Sequence, residues 1–147
     1  MNQSSHYPAI SNWRDAPKWL CALALVILVQ ACQTNHQLYG GAPRSRNDVA
    51  ILQSSGGPLD DFVRVEEIDG KSGPNKWGGG LPPVYNSKWN GKYVIELEPG
   101  VHTATVNYNF QPTRATAAFE AKPGKIYTIK LHKSGQDLTA EVEEVLP

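Results

Sequence analysis

The sequence predicts an all-β chain: one antiparallel β-sandwich of seven to eight short strands, set behind a targeting segment. Three observations carry that prediction. Residues 20–32, LCALALVILVQAC, form a short uncharged apolar run that ends in a cysteine. After Cys32 no stretch repeats its apolar residues at a helical period. Instead, short runs alternate apolar and polar residues and are cut by Gly, Pro, Asn and Asp, the pattern of half-buried strands joined by tight turns.

The apolar run is too short to cross a hydrocarbon core, which takes about 20 residues. It has the length of a signal-peptide apolar region, roughly 7–15 residues. Arg14 and Lys18, against the single Asp15, supply the positive flank. Residues 1–19 are long for such a flank, and Met1 is the only methionine, so no internal methionine offers another start. Val29-Gln30-Ala31-Cys32 resembles the bacterial lipobox. Val29 matches its aliphatic position, Ala31 its small residue and Cys32 its cysteine, whereas Gln30 is larger than the usual residue. The resemblance implies cleavage between Ala31 and Cys32 and a diacylglycerol on the Cys32 thiol, with palmitate-type acyl chains. The plain alternative is an ordinary secretory signal with a chance cysteine. Cys21 is a poor rival, because no apolar run precedes it. Each buried methylene contributes about 0.8 kcal/mol, so two or three chains hold stably where one is marginal. The predicted organisation is a signal peptide over 1–31, a lipidated cysteine and flexible tether over 32–47, and a sandwich over 48–147.

From Cys32 onward the chain has 116 residues, enough for one domain with a modest core. It carries twelve Lys plus Arg and thirteen Asp plus Glu, a balance that lacks the basic stripe a nucleic-acid binder needs. Cys32 is the only cysteine in this part. With lipid on it, the domain has no disulfide and depends on core packing and sheet hydrogen bonds.

Taken in order, residues 33–47 are polar and Gly-rich and read as tether, with His36 a solvated linker residue and Leu38 and Tyr39 near the domain. Strands are predicted over 49–52 and 62–68, the second followed by the turn signal Asp69-Gly70. Residues 72–83 read as loop, because Gly78-Gly79-Gly80 and Pro82-Pro83 oppose regular structure. A strand over 84–89 then meets Asn90-Gly91, the strongest hairpin signal in the chain. Residues 92–98 put Tyr93, Ile95 and Leu97 on one face. Residues 101–110 put Ala104, Val106, Tyr108 and Phe110 on one face and Thr103, Thr105, Asn107 and Asn109 on the other, so one face is buried and one is wet. Residues 115–121, 126–132 and 138–145 complete the set. The expected core unites Ala104, Val106, Tyr108, Phe119, Tyr127 and Ile129. The turns Glu98-Pro99-Gly100-Val101 and Lys122-Pro123-Gly124-Lys125 suit type II geometry, which splays tight hairpins, so at least one is expected to carry the chain from one sheet to the other.

The Asp-Gly turn between strands, and Leu97-Glu98-Pro99-Gly100-Val101-His102 running on to Val106 and Tyr108, resemble PEGA-type and carboxypeptidase-regulatory-like modules of small bacterial lipoproteins. The resemblance covers about residues 48–131. It implies an immunoglobulin/prealbumin-like sandwich and an accessory or binding role, and it rests on turn and core signals that carry no activity.

No catalytic constellation is evident. Gly70-Lys71-Ser72 ends like a phosphate loop, but Val65 stands where its first glycine belongs and no helix follows, so a hairpin turn is expected. Asp60-Asp61, Glu66-Glu67 and Glu143-Glu144 are neighbours that point to opposite faces of a strand and read as solvated. No serine lies in a Gly-x-Ser-x-Gly elbow. His102 reads as a satisfied, half-buried histidine, and no His/Cys/Asp spacing supplies a metal site.

Trp77, Tyr85 and Trp89, in or beside the Gly/Pro loop, form the candidate binding loop, since exposed tryptophans stack on sugars or anchor partners. The plain alternative is that they cover an open end of the sandwich. The sequence thus points to a non-enzymatic envelope lipoprotein without cofactors beyond the lipid on Cys32. It would contact the bilayer and another envelope protein, or alternatively a glycan through the loop aromatics, and would not bind nucleic acid. Gln33, in place of the Asp tied to inner-membrane retention in enteric lipoproteins, favours the outer membrane facing the periplasm in a Gram-negative source.

Overall fold

The computed structural model describes residues 35–55, 62–88 and 91–146. Cys32, Ala31 and Trp89, and the whole predicted signal peptide, lie outside them. The described chain is all-β, with eleven strands and no α-helix. These are β1 (Asn35–Gln37), β2 (Ala50–Gln53), β3 (Val63–Ile68), β4 (Lys71–Ser72), β5 (Asn75–Lys76), β6 (Pro83–Val84), β7 (Val94–Leu97), β8 (Gly100–Tyr108), β9 (Arg114–Ala121), β10 (Ile126–Ser134) and β11 (Asp137–Glu144).

Two open sheets form the sandwich. One runs β1-β7-β2-β10-β11 and the other β4-β3-β8-β9, with β5 and β6 as a small separate ladder. Most pairings are antiparallel, but β1 pairs with β7 and β2 with β10 in parallel. Parallel partners cannot be joined by a tight hairpin, so both pairings bring together segments distant in sequence. Ala50, Leu52, Ile95, Leu97, Tyr127 and Ile129 of the first sheet meet Val65, Ile68, Ala104, Val106, Ala115 and Ala121 of the second in one core. Phe119, Leu131, Leu138, Ala140 and Val142 pack against it from partly buried positions.

The turns reflect their residues. Asp69 and Gly70 both take positive φ, +51° and +73°, as a type I′ hairpin between β3 and β4 requires. Gly135, at +60°, opens the two-residue turn between β10 and β11. Both Pro-Gly turns carry the chain across the sandwich: residues 98–100 link β7 to β8, and residues 122–125 link β9 to β10. In the second, Lys125 N–H donates to Lys122 O at 3.2 Å while Gly124 takes φ +73°.

Several expectations need correction. Residues 35–46 are docked on the first sheet rather than held away from it. Leu38 N–H donates to Glu96 O (3.0 Å), the Tyr39 hydroxyl donates to Glu96 Oε2 (2.7 Å), and Arg44 reaches Glu98 Oε1 at 2.8 Å. His36 is half-buried, with Nε2–H donating to the Tyr85 carbonyl at 2.7 Å. The expected loop 72–83 contains the β5–β6 ladder, in which Lys76 faces Pro83; an edge position leaves proline's missing N–H without consequence. Of the expected strand 84–89, only Val84 is strand among the described residues. Phe110 leaves the core face because Asn109 and Phe110 take φ +48° and +59° and turn the chain over. Tyr108 is half-buried at the end of β8, against Phe62 (ring centroids 5.5 Å apart), not in the core cluster.

Candidate functional site

The most developed polar arrangement among the described residues lies on the outer face of the second sheet, at the end where β8 turns into β9. Its residues come from three strands. Arg64 and Glu66 stand two apart on β3, and Arg64 lies opposite Asn107 of β8, which in turn lies opposite Arg114 of β9. The ladder slips between Val65 and Glu67, so Glu66 is the residue of a bulge. Side chains there would ordinarily be wet. Instead Arg64 is 7% exposed, and Glu66 and Asn107 are each 2% exposed.

The 72–83 segment provides the cover. Gly73 sits so close to the chain opposite that a Cβ would fall 2.1 Å from the Val84 carbonyl carbon, and its N–H donates to Glu66 O at 2.9 Å. From there β5 and β6 fold back, and the tip Gly78-Gly79-Gly80 runs with φ of +93°, +63° and +78°. A Cβ on any of these three would meet open space, so backbone conformation and not crowding calls for glycine. Trp77, just before the tip, lays its ring over the sheet. It meets Phe110 edge to face at 5.0 Å, and the Arg64 guanidinium lies 4.8 Å from the Trp77 ring and 5.1 Å from the Phe110 ring. Desolvated cation–ring contacts of this kind contribute about 0.5–2 kcal/mol.

Beneath these rings Asn107 Nδ2 donates to Glu66 Oε1, and Asn107 Oδ1 accepts from Phe110 N–H at 3.1 Å. Arg114 Nε stands 2.6 Å from Glu66 Oε2 without the alignment of a hydrogen bond, so their contact is ionic. Burial pushes the Glu66 carboxyl above the usual carboxylate range; Arg114 and Asn107 pull it back, and Glu67 adds to the rise. Trp77 Nε1 is buried and meets no acceptor among the described residues.

Of the two candidate binding aromatics among the described residues, Trp77 belongs to this surface and Tyr85 does not. Tyr85 is 2% exposed and sits in the core, its hydroxyl donating to Lys71 O at 2.9 Å and its ring edge-on to His36. The adjoining Asn86 seals the outer side of β3. Its Oδ1 accepts from Val65 N–H (2.8 Å), and its Nδ2 donates to Val63 O (2.7 Å) and to Gly91 O. One side chain thus replaces a strand along an edge that would otherwise leave polar backbone groups unpaired.

A second polar group closes the opposite end of the sheet. His102 Nδ1 lies 2.6 Å from Asp69 Oδ2 and Nε2 lies 2.7 Å from Glu98 O, while Asp69 Oδ1 accepts from Thr103 N–H at 2.8 Å. Both ring nitrogens are engaged, so the pair ties two turns together and leaves no nitrogen open to a substrate. His102 is the satisfied, half-buried histidine its strand position suggested. No group of three His, Cys, Asp or Glu side chains able to hold a metal occurs among the described residues. No helix long and apolar enough to cross a membrane occurs among the described residues.

Sequence reasoning missed Arg64, Glu66, Asn107 and Arg114 as a group, and placed Glu66 in solvent. The i, i+2 spacing of Arg64 and Glu66 puts them on one face, but only the β3–β8–β9 register brings Asn107 and Arg114 to them. No protein-family model matches the chain, and no curated protein or solved structure matches it.

Proposed function

We propose that the chain is a lipid-anchored protein of the bacterial envelope whose PEGA-like sandwich is a non-catalytic interaction or structural module. The observation that carries the reading is Val29-Gln30-Ala31-Cys32 at the end of an uncharged apolar run. The position of the first strand supports it. With β1 beginning at Asn35, a lipid on Cys32 would be joined to the folded domain by three residue steps, a reach of at most about 11 Å when fully extended. The module then rests near the bilayer surface. In a Gram-negative source, Gln33 in place of the retention-linked Asp favours the outer membrane.

The alternative, glycan binding, needs flat exposed rings. Trp77 is packed against Phe110 and Arg64 with its indole nitrogen covered, and Tyr85 is in the core, which favours the interaction or structural reading. The test compares wild type with Cys32→Ser after metabolic labelling with a clickable fatty acid and membrane fractionation. Label and membrane residence in the wild type, both lost in the variant, are expected. An unlabelled wild-type protein would overturn the anchor.

A further inference from the structure

The two sheets end in four edge strands, and only one of them is both long and without a run of like charge. β1 is three residues long and β4 is two, too short to template pairing with another chain. β11 is long, but Asp137, Glu141 and Glu143 share one face of it. Antiparallel pairing of β11 with its own copy would bring carboxylates together in the central registers, which is destabilising. β9 is eight residues long, runs beside β8 without a register break, and contains no lysine, proline or bulge. Its other side is hydrogen-bonded to no strand among the described residues, while β11 of the facing sheet packs close to β9.

The exposed residues of β9 are Arg114, Thr116, Ala118 and Glu120: a cation at one end, an anion at the other, and small uncharged side chains between. That order is self-complementary. About a two-fold axis at Ala117, antiparallel pairing sets Arg114 opposite Glu120 twice and Thr116 opposite Ala118 twice. On the core-facing side, Ala115 then faces Phe119. A slip of two residues one way sets Arg114 opposite Lys122, like charge on like; the other way sets Glu120 opposite Pro112. Arg114 is about half exposed and keeps N–H donors beyond the Nε that faces Glu66, so it can reach a second carboxylate.

We propose that β9 is a self-association edge, on which a second copy of this chain pairs antiparallel about Ala117 and joins two four-stranded sheets into one. The interface is isologous, so it closes at two copies and does not propagate. The proposal stands apart from the lipid anchor, because it concerns the folded domain alone.

The test uses the full chain in detergent. Sedimentation over a concentration series is expected to show a monomer–dimer equilibrium, and Glu120→Arg, which sets two cations opposite each other, should weaken it about tenfold or more. Register is read by disulfide trapping. Thr116→Cys mixed with Ala118→Cys should cross-link on oxidation. Either variant alone should form little beyond the wild-type background, because like positions lie diagonally, beyond the roughly 7 Å Cα separation a disulfide spans. All three substitutions are at exposed positions, so folding is retained. A chain that stays monomeric throughout, a dimer indifferent to Glu120→Arg, or equal trapping in the mixed and single samples would each overturn the proposal.

Discussion

The two ends of the outer face of the β3–β8–β9 sheet are built from the same strands and the same alternation, yet one end is wet and the other is sealed. At the first, Val101 stands opposite Glu120 and Thr103 opposite Ala118, with Val101, Ala118 and Glu120 exposed, and this wet stretch reaches as far as the facing pair Thr105 and Thr116. At the second, Arg64, Glu66 and Asn107 occupy equivalent outward positions and are buried. The difference is the cover: Trp77 and Phe110 lie over the second end and nothing comparable lies over the first among the described residues. Alternation along a strand therefore sets which way a side chain points, while a segment elsewhere in the chain decides whether that direction leads to water. The sealed end is also the costlier one to hold. Its charges are desolvated, and each must keep its partners for the arrangement to persist.

The largest effect that would break the comparison is expected from Trp77→Ala. Removing a partly buried tryptophan and opening Arg64 and Glu66 to water should destabilise the domain by about 2–4 kcal/mol, the lower part of the range for buried aromatic deletions and just below it. Urea melts measure it. An unchanged melt would mean that Trp77 is a surface group free to serve as a contact, and that the cover contributes nothing to folding.

A smaller effect tests the strand phase. Val106 is fully buried in the core, and Thr105 beside it faces outward at the wet end. Val106→Ala should cost about 1–2 kcal/mol, scaling from other core methyl deletions, and Thr105→Ala no more than about 0.5 kcal/mol. Equal losses in parallel melts would show that the phase assigned to β8 is wrong.

The smallest effect concerns pH and sharpens the contrast between the docked segment 35–46 and the tether the sequence suggested. Burial lowers the His36 pKa below 6.5, outweighing the hydrogen bond to Tyr85 O. Its folded-state pKa is therefore below that of the released segment, so docking is fully favoured above pH 6.5 and weakens as pH falls below it. Glu66 has the opposite sign: its raised pKa means that ionisation costs stability, and protonation relieves that cost as pH falls through its folded-state value toward 4.5. Hydrogen exchange of the Leu38 amide at about pH 7.5 and about pH 5.5 separates the two, because that amide reports docking alone. Faster opening at the lower pH, abolished in His36→Gln, is the expected result. No pH dependence beyond intrinsic exchange would mean that His36 does not couple to docking.

Much of the fold was legible in the sequence, because its signals are local. Asp69-Gly70 and the two Pro-Gly turns announce themselves by residue type, and the phases of β7, β8 and β9 come from alternation. What stayed hidden depends on distant partners or on rare backbone states. Residues 35–37 look like linker because three polar residues have no strand signal of their own; their strand exists only beside β7. Nothing about Asn86 in a chain suggests that its amide will stand in for a strand. Phe110 continues the apolar alternation of β8, and only positive φ at two successive non-glycine residues, an uncommon state, turns it onto the opposite face. The candidate site was legible in one residue, Trp77, and otherwise required the register of three strands.

The proposed location and anchorage both depend on what happens at Cys32. Intact mass and tandem mass spectrometry of the N-terminal peptide from protein purified out of bacterial membranes test it most directly. A mature chain beginning at Cys32, with a diacylglycerol thioether on that residue, is the result predicted. An unmodified Cys32, or a chain that begins at any other residue, would contradict it.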